Sequence, residues 1–276
     1  MGFALLALLG AASWGVGDFL GGLAARRAHV LTVLVISQAA GLVGAAAWTS
    51  LAGDPRPELG ELVPAFAAGA CGALGLLALY RGMAIGAMGI VAPISAAAPV
   101  VPLAVDLAQG TTPSSLQWLG IAFVLVGIML LAREPMGSAR FATGVGLALL
   151  AALAFGLFYV GLDAAADASV PWTILAIRSA ATALVLLLAL SASVTLRPSA
   201  RLLPTIVVVG VFDTVANVLV AFATTRGSVG VVAVLSALYP VATVLLARAL
   251  LGEQLSGGRR TGGALALAGA AVVAVG

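Results

Sequence analysis

Charge is scarce in this sequence. Asp, Glu, Lys and Arg make up 8% of its 276 residues, where a soluble domain carries about 25%. Such a chain cannot cover a globule with water-compatible surface, so a soluble fold is excluded. Lys is absent altogether, and all thirteen basic residues are Arg. The excess of +3 is spread thinly, with no basic patch interleaved with aromatics, so no nucleic-acid partner is expected. The lone Cys71 excludes a disulfide within the chain and a cysteine metal site. With His29 as the one histidine, no His-Glu-x-x-His and no carboxylates paired at metal-ligand spacing, metal or nucleophile catalysis has little to stand on. No Gly-x-x-x-x-Gly-Lys-Ser/Thr loop is present to cradle a nucleotide, and no cofactor is expected.

What is abundant is apolar sequence, 62% of the chain. Inside a bilayer every backbone group must be satisfied internally, which leaves helices or a closed barrel. Long apolar runs without alternation choose helices. The fold expected is an all-α integral membrane protein. Ten spans are predicted, at about residues 3–23, 31–51, 62–83, 88–106, 116–132, 144–162, 170–192, 202–224, 228–251 and 261–276. The fifth and tenth are the shortest. The first lacks a basic leader and a small-residue cleavage site, so it is expected to be retained as a span.

The stretch from Gly86 to Val100 is repeated in altered form from Gly227 to Val241, 141 positions on, with eight of fifteen residues identical. Gly86 answers Gly227, Gly89 answers Gly230, Ser95 answers Ser236 and Pro99 answers Pro240. The same offset pairs Gly15 with Gly156 and Gly69 with Gly210. Two repeats, 1–135 and 136–276, would hold five helices each. Because five is odd, the second must enter the membrane inverted, an architecture found in many secondary transporters. Ten Arg fall after odd-numbered spans and two, Arg56 and Arg226, after even-numbered ones. By the positive-inside rule this count places both termini outside.

Trp14-Gly15 in the first span, the paired five-helix repeats, the Gly-x-x-x-x-x-Ser-x-x-x-Pro core in both halves and Leu251-Gly252-Glu253 after the ninth span carry a resemblance. The chain resembles the drug/metabolite transporter (DMT) superfamily, EamA type. The resemblance implies a ten-helix transporter with a central cavity ringed by helices 1–4 and 6–9, with 5 and 10 peripheral. It also implies termini inside, against the Arg count. Two positions depart from the family pattern: Thr112 stands where the second half has Glu253, and Ser37 where it has Arg178.

A charge within a span costs about 2.5–3.5 kcal/mol on insertion scales, so each needs a reason. Asp213 lies mid-span, with Asn217 one turn on along the same face. It reads as a proton- or cation-binding carboxylate or a substrate contact, or else as a polar clasp between helices. Arg178 could attract an anion, neutralise Asp213, or snorkel to the interface. Asp18 and Trp14 share a face, and at the repeat offset they match Tyr159 and Phe155. They read as a polar group and an aromatic wall of the cavity, or as a packing residue and an interfacial aromatic. Ser95 with Pro99 and Ser236 with Pro240 are expected to kink the fourth and ninth spans and offer carbonyls to substrate. Tyr80 and Tyr239 could add hydrogen bonds, although packing explains them too. Gly17 and Gly21 read as close helix packing, Asp106 as a cap or interface charge, and His29 as solvated.

The function expected is secondary active transport of small organic metabolites or drugs across a bacterial inner membrane, by alternating access. The chain is expected to export, coupled to the proton gradient through Asp213, as a monomer or homodimer. An uncoupled facilitator and an intramembrane enzyme are the alternatives.

Overall fold

The structure, a computed structural model, describes residues 2–84, 95–131, 141–251 and 257–276. Gly86, Gly89, Pro93 and Glu253 lie outside the described residues, as does the segment joining the two halves. The described residues form eleven α-helices and no strand. They are α1 (Gly2–Ala25), α2 (Val30–Ala52), α3 (Leu59–Ala84), α4 (Val100–Ala108), α5 (Ser115–Leu131), α6 (Phe141–Ala166), α7 (Val170–Ser191), α8 (Leu203–Thr224), α9 (Val229–Ser236), α10 (Tyr239–Leu251) and α11 (Gly257–Val275).

Seven candidate spans are long and apolar enough to cross a bilayer: α1, α2, α3, α6, α7, α8 and the α9–α10 unit taken together. Shorter apolar helices lie within α5 and α11. The ends of the spans are set by local chemistry. The His29 imidazole accepts the Leu31 amide at 3.2 Å and starts α2, and Gly53, at φ 71°, closes it in the left-handed conformation. Ser169 caps α7, whose first turn also holds Pro171, where a missing N–H costs nothing.

Two predicted spans are not the kinked helices expected. The ninth is split: α9 stops at Ser236 and α10 begins at Tyr239. The fourth has turns at residues 96–99 before α4 begins at Val100. Here the amides of Ala98, Val100 and Val101 reach back three residues, to Ser95, Ala97 and Ala98, at 3.0–3.2 Å. The reason is proline placement. Pro99 and Pro240 sit at the start of the second segments, where proline is tolerated, so each begins a new helix and does not bend an old one. Both breaks fall at the same repeat position.

The tightest packing joins helices that are far apart in sequence. α1 packs on α8, α3 on α6, α2 on α7 and α5 on α11; α3 also meets α7, and α2 meets α8. Small residues permit this approach, since between helices in lipid packing replaces the hydrophobic drive. A Cβ on Gly15 would lie 2.7 Å from the Tyr239 carbonyl oxygen, and one on Gly156 would lie 2.8 Å from that of Ala98. Gly69 faces the Ile177 carbonyl and Gly210 that of Ser37. On α5 and α11, Gly120 and Gly269 face each other, and Gly127 faces Gly262. Gly17 and Gly21 also serve packing, against Phe212 and Tyr80.

A glycine pair gives a direct test. Gly210→Ala places a methyl on the Ser37 backbone, which can yield only by moving α2, and overpacking of this kind costs about 1–3 kcal/mol. Gly44→Ala meets nothing within 4 Å. Melting in detergent is expected to fall for Gly210→Ala and to hold or rise for Gly44→Ala.

Candidate functional site

The helix crossings bring four polar side chains together in the middle of the bundle. Arg178 of α7 donates from Nη1 to Asp213 Oδ2 of α8 at 2.5 Å and to Gln38 Oε1 of α2 at 2.7 Å. Gln38 Nε2 donates to the same carboxylate oxygen at 3.2 Å, and Trp14 Nε1 of α1 donates to the other, Oδ1, at 3.0 Å. Asp213 therefore accepts three charge-assisted or neutral hydrogen bonds from three helices. Arg178 is 1% exposed, which overturns the snorkelling reading and leaves the counter-ion reading as the geometry found. Glycine makes room for it: Gly41 lies against the Arg178 Cδ and the Thr214 hydroxyl.

This cluster forms part of the wall of a cavity of about 70 Å3. Small-molecule clefts measure about 300–1,000 Å3, so a substrate enters this cavity only as its walls part. Nine of the twelve sequence candidates line it: Trp14, Asp18, Ser95, Pro99, Tyr159, Arg178, Asp213, Asn217 and Tyr239. Tyr80 lines a much smaller adjoining cavity of about 10 Å3 that shares Trp14, Asp18, Gln38 and Asp213 with the first. Ser236 and Pro240 are buried and line neither; they form the helix break behind Tyr239.

Asp18 is placed differently from Asp213. Its Oδ1 accepts the Tyr80 hydroxyl at 3.3 Å, and no Arg pairs with it among the described residues. Tyr239 approaches the cavity from α10 and lies 3.4 Å from the Ser95 hydroxyl. The aromatic wall is built edge to face. Trp14 meets Tyr159 at 5.9 Å and Phe158 at 6.2 Å, and those two rings meet at 5.7 Å. Gly72 and Gly75 of α3 let Phe158 and Phe155 lie flush against the helix.

Gln38 and Phe158 were not singled out from the sequence. Gln38 is 2% exposed in a membrane-spanning helix, and a polar amide there was the available signal. Asp106 proves to be a cap: its Oδ2 accepts the Gly230 amide at 2.8 Å, in the first turn of α9. His29 is exposed, as expected.

The family model for EamA-like transporters matches residues 1–133 and 142–275, nearly the whole chain. The chain belongs to the EamA-like transporter family. This EamA-family chain is thus a multi-pass membrane protein of the DMT superfamily, from a family of transporters and not of enzymes. No curated protein matches in sequence. A solved crystal structure superposes with a TM-score of 0.81, over 99% of this chain and 96% of its own, at 17% identity. At that identity the likeness shows a shared fold.

Proposed function

We propose that this chain is a secondary active transporter of small organic metabolites or drugs, working by alternating access. It exports across a bacterial inner membrane and couples to the proton gradient. The observation that carries the reading is the mid-bundle cavity. It joins an aromatic wall to an acid–base cluster and a second carboxylate, Asp18, that has no cation partner among the described residues.

The architecture proposed is ten spans in two inverted five-helix repeats, 1–135 and 136–276. The helix pairings support it, because a shift of 141 residues turns α1 on α8 into α6 on α3 and carries α2 on α7 into itself. So do the ties at the helix ends. The Trp172 indole, near the start of α7, donates to the Asp54 carbonyl just after α2 at 3.2 Å. The Thr32 hydroxyl, near the start of α2, donates to the Thr195 carbonyl just after α7 at 3.0 Å. The matching helices α2 and α7 therefore run antiparallel, as inversion requires, and Asp54 and Thr195 are themselves 141 apart. The break between α9 and α10 makes a discontinuous span of the kind that often builds transporter sites.

The coupling role moves from Asp213 to Asp18. Proton exchange at Asp213 breaks an ion pair, whereas exchange at Asp18 breaks none. The test is a growth panel in a bacterium lacking its own exporters, challenged with toxic amino acid analogues, nucleobase analogues and cationic dyes. Resistance to one class is the expected result. Well-inserted protein that changes nothing across the panel would end the reading, and heightened sensitivity would reverse its direction.

A further inference from the structure

Among the described residues, Arg178 engages the protein through one nitrogen. Nη1 serves Gln38 and Asp213, while Nε and Nη2 are buried and have no hydrogen-bond acceptor there. A guanidinium carries five N–H donors in a fixed fork, and three of the five are on those two unused nitrogens. Buried donors of this kind are nearly always satisfied, so three without a partner on one side chain of the cavity wall call for an acceptor, which reaches them as the wall parts, because both nitrogens are closed to solvent in this structure. The Nε–Nη2 edge holds two donors parallel at a spacing that suits a bidentate oxyanion, of which a carboxylate is the kind that also fits an apolar wall. Asp213 does not serve that edge, because it meets Arg178 through Nη1 alone.

Two further features bear on the ligand. Asn217 Oδ1, on the same cavity wall, is also buried without a partner among the described residues. The remainder of the wall is largely apolar and aromatic, with Trp14, Phe155, Phe158 and Tyr159. We propose that the unused Nε–Nη2 edge of Arg178 is a substrate subsite for a carboxylate, and that the substrate is a small organic acid with an apolar or aromatic body. The proposal rests on the transporter reading for the word substrate, but the subsite itself does not.

The test is ligand binding to the purified full chain in detergent at fixed pH, by thermal shift and calorimetry. The probes share one body and differ in head group: 3-phenylpropionate, 3-phenylpropionamide and 3-phenylpropylammonium. The carboxylate is expected to bind about tenfold or more tightly than either of the others, which corresponds to one well-made bidentate contact. Arg178→Lys keeps a cation beside Asp213 but has no Nε–Nη2 edge, and is expected to lose that preference. Equal binding of all three probes, or preference for the ammonium, overturns the subsite. So does carboxylate preference that survives in Arg178→Lys. If that variant does not fold, the head-group comparison on the unaltered chain still decides. Liposome flux separates the two readings. A chain that binds the carboxylate but moves nothing keeps the subsite and ends the transporter reading, and one that moves dyes but binds no carboxylate does the reverse.

Discussion

Asp213→Ala is expected to be among the most damaging single changes in this chain, lowering stability by about 3–5 kcal/mol. The cost comes less from the lost attraction than from what remains. Arg178 is 1% exposed, and without the carboxylate its charge has only the Gln38 amide oxygen to rest against. The Trp14 indole N–H loses its acceptor as well. At this chain length such a loss is a melting-temperature drop of roughly 5–15 °C. The double variant Arg178→Met/Asp213→Leu removes both charges and is expected to recover most of the loss, since a buried pair is often replaced by apolar side chains at little cost. Melting of Arg178→Met, Asp213→Leu and the double in one detergent gives the coupling. If the two single losses add up to the double's, the pair is not an energetic unit and Arg178 is held by something else.

Asp18→Asn is expected to do the opposite, leaving the fold nearly intact and abolishing gradient-driven transport. The substitution keeps the shape and the acceptor that Tyr80 uses. The groups that face Asp18 are Tyr80 from α3, Tyr239 from α10 and Asp213 from α8, with Arg178 behind Asp213 and already paired to it. None of these is a cation free to hold the Asp18 carboxylate. A proton can come and go there as the cavity changes sides, and an amide cannot follow it. In proteoliposomes the variant should accumulate substrate no faster than protein-free vesicles when a pH gradient is imposed, while exchanging labelled for unlabelled substrate as the unaltered chain does. Accumulation at the normal rate would remove Asp18 from the coupling step and favour a facilitator.

Much of this was readable from residues alone, for reasons specific to the bilayer. Charges and prolines inside apolar runs are so few that nearly every one marks something. Asp18, Arg178 and Asp213 were conspicuous on that ground before any helix was placed. The repeat was legible because Gly, Ser and Pro keep their register where Ala, Val and Leu drift. What was not legible was who meets whom. Gln38 lies 140 positions from Arg178 and 175 from Asp213, and Trp14 lies 199 from Asp213, so their hydrogen bonds are set by the crossing of α1, α2, α7 and α8. Arg178 showed the same limit, since its place in the sequence suited a snorkelling anchor and a buried counter-ion alike. The proline positions were seen, but their effect was not. Whether a proline bends a helix or begins one depends on which residues ahead of it are satisfied by three-residue turns.

The pairing of α1 with α8, α2 with α7, α3 with α6 and α5 with α11 also bears on how the chain is made. Each of these contacts joins a helix from the first 135 residues to one from the remainder. When the ribosome has delivered the first half, none of its helices has met its principal neighbour. At about 5–20 residues per second, the partners arrive on the order of ten seconds later. Throughout that interval Asp18 and Gln38 stand in the membrane without the groups on α8 and α7 that later surround them. A nascent first half is therefore open to capture by the second half of another copy, and its assembly depends on insertion machinery that keeps neighbouring chains apart until synthesis ends.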